Sequence, residues 1–422
     1  SKPGADLDRL EQIAAEAIAN GWSVQETELA VLRAGRPSAP SPYVNNRPAV
    51  TQPVLEAALC LAGGVAAEAL VADRDYGEPV VEAAWRYRSH GLHGILAAAL
   101  SSNGISPPHG GRELFRAMIE HQNVQGSYST VSLPGLLGNV ANKMLLDSFT
   151  SVNATYERIA ALADFQNFHA HSIYRLDHTG EFAQVAPSGE IQHGKLGETT
   201  YTNKLETYGQ MLTLPRQAVI NDDLGALVQL TALLGRKARI AVERALYDAL
   251  LESSDVFFTS ARGNKLTSAG LAVSSLASAE AAMLGMVDAG GDPVYAAPAI
   301  LLVPPALKYL GDQLYTSAQV TADATSTGES KPTDNPFRGR FRVETSPYMA
   351  LASLAGSSSS TWYLLADPNM LPALQVAFLS GRRSPTIETA DAQFNTLGVQ
   401  LRAYFDFGVA QLDYRGCIKN VA

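Results

Sequence analysis

The residues best suited to chemistry by type and spacing are histidines that lie close together in the sequence. His169 and His171 form an HxH pair, and His178 and His193 follow in the same segment. Because alternate residues of a β-strand point to one face, such a pair could bind a metal ion. No Asp or Glu stands at a spacing that completes the ligand set. The pattern therefore favours exposed or stacking histidines and predicts no metal site. A metal-dependent enzyme that uses these histidines is the alternative.

Motifs typical of enzymes are missing from the sequence. It contains no GxSxG, HExxH, GxxxxGKS or GxGxxG pattern. The serine run Ser357–Ser360 is typical of a polar loop. The paired carboxylates of Asp222 and Asp223 are better explained as the acidic first turn of a helix than as an acid–base pair. The sequence therefore predicts neither enzyme activity nor a cofactor.

Two lysines in the histidine-containing segment could join one chain to another. Lys195 and Lys204 lie in a stretch of extended character, and Asn203 precedes the second lysine. They could form ion pairs between subunits or, less simply, an isopeptide bond between lysine and asparagine. Exposed lysines at a strand edge also oppose aggregation, which is the favoured explanation.

The composition describes an acidic globular chain. It has 422 residues, of which 46% are hydrophobic and 17% charged, with a net charge of −9. The length allows two or three domains, and the low charged share suits a subunit that buries much of its surface against neighbours. A protein that binds DNA tightly through its phosphates needs a basic face, and no run of Lys or Arg supplies one here. An acidic wall is compatible with a container that contacts enclosed DNA only weakly.

The cysteines and the length of the apolar runs indicate the cellular compartment of the protein. Cys60 and Cys417 lie far apart among apolar or small residues, which predicts buried free thiols and a reducing cytoplasm. No segment reaches the ~18–20 continuous apolar residues that span a bilayer. The sequence therefore predicts no membrane contact.

The first 132 residues alternate helical patterns with breaks. Apolar residues at helical spacing predict short helices within 5–34 and longer ones at 53–72 and 77–102. Five prolines fall within 35–53, which predicts an extended segment there. We therefore expect residues 1–132 to form an extended helical arm and not one compact domain.

Two long elements follow in the centre of the chain. Aromatic and β-branched residues flank polar turns across 166–214, which predicts a long β-hairpin with no core of its own. Because an isolated hairpin is only marginally stable in water, it needs a neighbouring surface. Asn221 to Asp223 supply a helix cap, and apolar residues then keep one face across 222–252. This pattern predicts an amphipathic helix roughly 45 Å long.

The remaining elements are short, apart from the last. Residues 399–412 alternate, with Leu401, Ala403, Phe405 and Phe407 on one face, and predict a long strand. The others are predicted strands at 255–258, 298–303, 341–345, 362–365 and 371–378 and predicted helices at 267–287 and 305–314.

This order of elements resembles that of the tailed-bacteriophage major capsid protein, the Hong Kong ninety-seven type shell fold. The resemblance is closest to the Mu-like major head subunits, including prohead protease–capsid fusions. The residues that carry it are Tyr208–Leu224 (YGQMLTLPRQAVINDDL), Gly235–Leu251, Pro298–Pro304, Phe407–Ala410 and Asp413–Gly416.

The resemblance implies an α+β fold with the domains of a phage shell subunit: an N-terminal arm, a long hairpin (the E-loop), a spine helix with a peripheral β-sheet, and an α/β axial domain. By residue range, these are the arm at 1–132, the peripheral domain at 133–165, 215–291 and 395–422 with the spine helix at 222–252, the hairpin at 166–214 and the axial domain at 292–394.

The resemblance also implies a function, which is self-assembly into the icosahedral head that encloses double-stranded DNA. The expected partners are copies of the same chain in hexamers and pentamers, a portal, a scaffold or prohead protease and decoration proteins. Proteolytic maturation and assembly in the host cytoplasm would precede a place in the virion capsid. An encapsulin-like cellular compartment is the alternative. The candidate inter-subunit residues are Pro40, Pro42, Tyr43, Arg175, Asp177, Lys195, Lys204, Glu206, Arg236, Arg239 and Arg244.

Overall fold

The fold was analysed in a computed structural model that divides the chain into two compact units, Ser1–Ala49 and Val50–Ala422. In the first unit, residues 13–20 are helical and Gly21 ends the helix with a φ of 65°, as the sequence predicts. The described residues are 13–24, 27, 51–72, 76–102, 105–108, 113, 133–179, 189, 195–215, 224–251, 256–267, 270–321, 332–391 and 398–422.

Five helices of the described residues between 51 and 151 share one core. They are α1 (Gln52–Ala62), α2 (Ala67–Val71), α3 (Glu78–Ala84), α4 (Gly91–Ser102) and α5 (Leu133–Ser151). Small buried residues such as Ala58, Ala84 and Ala99 allow these helices to approach closely. This packing of residues 51–102 differs from the extended arm expected for 1–132. The Gly and Pro breaks mark turns between packed helices, because each helix has its own apolar face.

Two further helices lie against the end of α5. The short helix α6 spans Tyr156–Ile159, and the long helix α7 spans Leu224–Leu250, as the pattern over 222–252 predicts. Gly235 lies where α7 meets α5, and a Cβ atom there would overlap the carbonyl oxygen of Leu145. Only glycine therefore allows the two helices to come this close.

The hairpin is shorter than the sequence predicts. Strands β2 (His171–Thr179) and β3 (Lys195–Asn203) pair antiparallel, with His171 opposite Asn203. Strand β4 (Glu206–Pro215) instead pairs with β13 (Gly398–Gln411) along its whole length. The prediction that one hairpin extends to residue 214 is therefore wrong. The chain changes sheets at Leu205, whose side chain is buried.

The first five-stranded sheet is organised around β13. Strands β1 (Ala161–Phe165), β11 (Leu374–Leu379), β12 (Thr386–Asp391) and β4 complete it, and β1 runs parallel to β11. Leu401, Ala403, Phe405 and Phe407 of β13 are all buried, which confirms the predicted alternation.

The second five-stranded sheet has the order β5-β14-β10-β6-β9. Helices α8 and α9 pack against it, and a small separate hairpin pairs β7 with β8. The bounds are β5 Lys265–Thr267, α8 Val273–Leu284, β6 Pro298–Val303, α9 Lys308–Thr316, β7 Gln319–Thr321, β8 Pro332–Asp334, β9 Arg342–Thr345, β10 Trp362–Ala366 and β14 Cys417–Val421.

Several predicted elements in this half differ from the observed ones. Residues 256–258 are bends and not a strand, and Phe257 and Phe258 are buried in the core with their rings packed edge to face. The helix predicted at 267–287 begins only at Val273, after a strand. Both sheets cross the predicted boundary at 394/395, since β11 and β12 pair within the first sheet and β14 within the second. No helix among the described residues is long and apolar enough to cross a membrane.

Candidate assembly interface

A buried polar cluster fixes α7 to the segment that leads into the first sheet. The carboxylate of Glu243 accepts hydrogen bonds from the backbone N–H of Thr155, from that of Tyr156 at 3.1 Å and from the Thr155 hydroxyl at 3.0 Å. The hydroxyl of Tyr247, one turn along α7, lies 2.6 Å from the same Thr155 hydroxyl. We call Thr155, Tyr156, Glu243 and Tyr247 the Glu243 cluster.

Burial determines the electrostatics of this cluster. It raises the pKa of Glu243 above its usual range, although the hydrogen bonds from Tyr156 and Thr155 and the nearby charge of Arg239 oppose the shift. Burial likewise raises the pKa of Tyr247. Because its oxygens have partners, the buried carboxylate is part of the packing and not an exposed acid–base group.

Arg239 belongs to the same region, although its sequence position predicted an outward-facing inter-subunit contact. Its guanidinium lies 4.8 Å from the ring centroid of Phe149, 3.3 Å from the Tyr156 hydroxyl and 3.0 Å from the Glu157 carboxylate. The residue is only 8% exposed. Its partners thus lie in its own chain, because the apolar stem and flat guanidinium cover aromatic rings.

Two other candidates on α7 do lie at the surface. Arg236 is exposed, and so is Arg244, whose guanidinium is 4.0 Å from the Asp248 carboxylate. Exposed pairs of this kind contribute little to stability. Both arginines are therefore available for contacts with another chain.

The base of the hairpin rests on the same subunit. Arg175 of β2 forms an ion pair with the buried Asp413, which follows β13. The His171 ring stacks on that of Phe165 at a centroid distance of 4.0 Å. One histidine of the HxH pair thus stacks on an aromatic ring. Among the described residues, no group of three His, Cys, Asp or Glu side chains is arranged to hold a metal ion.

The remaining hairpin candidates differ in accessibility. Lys204 and Glu206 are exposed where β3 passes into β4. Asn203 is buried, and its amide donates to the Gln375 side-chain oxygen at 2.9 Å. Asp177 and Lys195 lie in β2 and β3, but their side chains fall outside the described residues. Pro40, Pro42 and Tyr43 also lie outside the described residues.

Sequence reasoning missed a group of exposed apolar side chains beside the hairpin. Tyr174, Tyr295 and Met370 are 62%, 81% and 83% exposed, and they line one cleft of about 570 Å³. Tyr295 has a φ of 53°, a conformation that non-glycine residues rarely adopt. Its position could not be read from a pattern, because it depends on how the loop before β6 approaches the hairpin.

Residues 198–420 match the model of a family described as phage capsid protein, and this match covers more than half of the chain. The chain belongs to that family. A search of curated proteins gave no match. The family assignment confirms the prediction of a shell-forming bacteriophage capsid subunit and its place in the virion capsid. It does not resolve the Mu-like resemblance, which stays a prediction.

Solved structures of similar shape include phage particles. The capsid of cyanophage P-SCSP1u is 10% identical, with 64% of this chain and 88% of that chain covered and a TM-score of 0.44. The matched chain of Gordonia phage Cozz is 10% identical, with 70% of this chain and 96% of that chain covered and a TM-score of 0.42. A virus-like particle from Pyrococcus furiosus is 11% identical, with 66% and 97% covered and a TM-score of 0.39. The family match, and not these scores, carries the assignment.

Proposed function

We propose that the chain is the major subunit of an icosahedral phage head, and that hexamers and pentamers of it enclose double-stranded DNA. The observation that carries the proposal is the β2–β3 hairpin. Residues 171–175 alternate only between half-buried and exposed, so neither face of this part of β2 lies in a core. Since a two-stranded sheet alone is marginal in water, its distal part is expected to lie on a neighbouring subunit.

The ion pair of Arg175 with Asp413 refines this role. It fixes the direction in which the hairpin leaves its own subunit, while the strands beyond Arg175 extend to the neighbour. Such a contact joins different surfaces on the two partners. Repeated around a closed symmetry, it produces rings and shells.

The two sheets suggest how the subunit is divided. We assign the first sheet, together with α7, to the peripheral domain. We assign the second sheet, with α8 and α9, to the axial domain that meets around the five-fold and six-fold axes. In this division, each strand belongs to the domain of the sheet in which it pairs, and the boundary at residues 394/395 is given up. Strands that are hydrogen-bonded in one sheet move together.

The other partners follow from the same proposal. A head of this type requires a portal and a scaffold or prohead protease, and decoration proteins would bind its outer surface. Assembly would take place in the host cytoplasm. The chain has no proposed catalytic role, and its function lies in the contacts that it makes.

Electron microscopy of a shortened hairpin tests the proposal. Replacing residues 177–197 with a two-residue turn joins Leu176 to Glu198, which are already opposite each other, and retains Arg175. We expect a folded protein with an unchanged melting temperature that forms no closed shells. The unaltered chain, supplied with a scaffold or protease where required, is the control. Normal shells from the shortened chain would overturn the role of the hairpin, and no shells from the unaltered chain would overturn the function.

A further inference from the structure

A short basic turn stands out in this acidic chain. Residues 83–112 contain no Asp or Glu, and Trp85-Arg86-Tyr87-Arg88-Ser89-His90 lies near the start of that stretch, between α3 and α4. We call residues 85–90 the basic turn. The nearest acidic residue before it in sequence is Glu82, one turn earlier on α3. The turn thus differs in sign from the chain as a whole, whose net charge is −9.

The basic turn is fixed to the body of the protein. Two of its backbone N–H groups donate to α3, from Trp85 to the Val81 carbonyl at 3.1 Å and from Tyr87 to the Ala84 carbonyl at 2.9 Å, and His90 donates to the Tyr87 carbonyl within the turn at 3.0 Å. The Tyr87 side chain packs against the helical core. The turn is therefore a preorganised surface.

Its polar and aromatic groups face solvent. Arg86, Arg88 and His90 are exposed, and Trp85 is 44% exposed. The Arg88 guanidinium lies 4.1 Å from the centroid of the Trp85 ring. A guanidinium stacked on an indole is held in place by its face, while its N–H groups at the edge remain directed outward. Such a group suits a phosphate oxygen, to which arginine donates two parallel hydrogen bonds.

We propose that the basic turn is a contact site for the phosphate backbone of duplex DNA. The inference rests on the proposed function, because the enclosed DNA is its ligand. Arg86 and Arg88 supply the charge, and Trp85 holds Arg88 in position. Contacts with phosphates carry no sequence information, so every DNA sequence is bound alike.

A contact site of only two arginines suits a shell protein, which must bind its enclosed DNA weakly. Two arginines on an acidic subunit bind weakly, so packaged DNA can still slide along the wall and leave it. Many copies in one shell add their contacts through the DNA. An acidic segment of another protein is the rival ligand, because carboxylates also accept two hydrogen bonds from arginine.

The experiment measures binding of the full chain to a fluorescein-labelled DNA duplex over a range of salt concentrations. Arg86→Ala/Arg88→Ala should weaken binding and reduce the slope of log K against log salt by about 2 for each engaged subunit. Arg382→Ala/Arg383→Ala is the matched control, because it removes two adjacent exposed arginines from the turn between β11 and β12. The control should change the slope far less. Arg86→Lys/Arg88→Lys should keep most of the slope, since the charge is retained.

Three results would overturn the site. The first is equal loss of slope in both alanine variants, which would mean that net charge alone matters. The second is no loss in either variant. The third is a larger loss of binding to polyglutamate than to DNA, which would assign the turn to an acidic protein. Shell formation is scored separately by microscopy. A head that fails to form with DNA binding retained would refute the proposed function and not the site.

Discussion

The Glu243 cluster and the β2–β3 hairpin show two ways in which polar sequence is used in one subunit. In the cluster, a buried carboxylate has partners from Thr155 and Tyr156 within the same chain. In the hairpin, Tyr174 is 62% exposed, and residues 171–175 of β2 are only half-buried or exposed. The first region has its partners within the chain, and under the proposed function the second is completed by a neighbouring subunit. Stability and assembly should therefore respond to mutations in different places.

Replacing the buried carboxylate should have the largest effect on stability. Glu243→Ala leaves the Thr155 and Tyr156 amides without their acceptor and removes one of the two negative charges near Arg239, the other being that of Glu157. Removing one partner of such a buried network costs about 3–5 kcal/mol in free energy of unfolding. Urea unfolding followed by circular dichroism measures this value.

Glu157→Ala is the matched control for the buried site. Glu157 also lies near Arg239, but its side chain is 45% exposed. Because water replaces its contacts, we expect a loss of less than about 1 kcal/mol. Equal losses in the two variants would contradict the contrast between buried and exposed partners of Arg239.

The contact between α5 and α7 gives the next largest effect. Gly235→Ala places a Cβ atom against the Leu145 carbonyl oxygen and 3.2 Å from the Phe149 nitrogen. Alanine favours a helix over glycine by about 1 kcal/mol, whereas overpacking costs about 1–3 kcal/mol, so we expect a net loss. The melting temperature reports it. In Gly209→Ala, the nearest atom would be 3.4 Å away, so that variant should keep nearly its full stability.

The pH dependence of stability sharpens the assignment of Glu243. Its pKa is raised above the usual 4.5 by burial, so the folded protein binds a proton more tightly than the unfolded chain does. The stability that this group contributes is therefore greatest below pH 4.5 and is lost as pH rises through its pKa in the folded protein. Relative to Glu243→Gln, which cannot titrate, the unaltered protein should lose stability as pH rises from 4.5 toward neutral. A difference between the two proteins that grows on acidification, with the unaltered protein becoming the less stable, would contradict the raised pKa.

Long periodic elements could be predicted from the sequence because burial on one face sets their pattern. Helix α7 and strand β13 were found with nearly correct ends. The sequence predicts strand β6 with its observed bounds of 298–303, since Pro304 ends it. In contrast, β5 and β14 are short and pair with strands far away in the sequence, and β12 lacks a clear alternation although it pairs with the next strand, β13.

The candidate interface was less predictable for a related reason. Its position on the helix predicts that Arg239 faces outward, but Phe149 of α5 and Tyr156 of α6 cover it. Likewise, nothing local indicates that Arg175 meets Asp413. Contacts of this kind depend on the packing of separate segments, whereas the exposure of Arg236 and Arg244 follows from the helical pattern alone.

The mutation with the smallest expected effect on stability should have a clear effect on assembly. Tyr174→Ser changes an exposed side chain of β2, so the free energy of unfolding should change by no more than about 0.5 kcal/mol. If the hairpin lies on a neighbour, the same change removes an aromatic contact that each subunit repeats, and the yield of closed shells should fall. Quantitative electron microscopy and sedimentation measure that yield.

Ser172→Ala is the matched control, because Ser172 is exposed two residues earlier on the same face of the same strand. It should change neither stability nor shell yield. A loss of shells in Tyr174→Ser with full stability would separate the two regions of the subunit directly. Unchanged shells in that variant would place the neighbour's contact elsewhere on the hairpin, because an aromatic side chain buried in a repeated interface cannot be removed without weakening every copy of it.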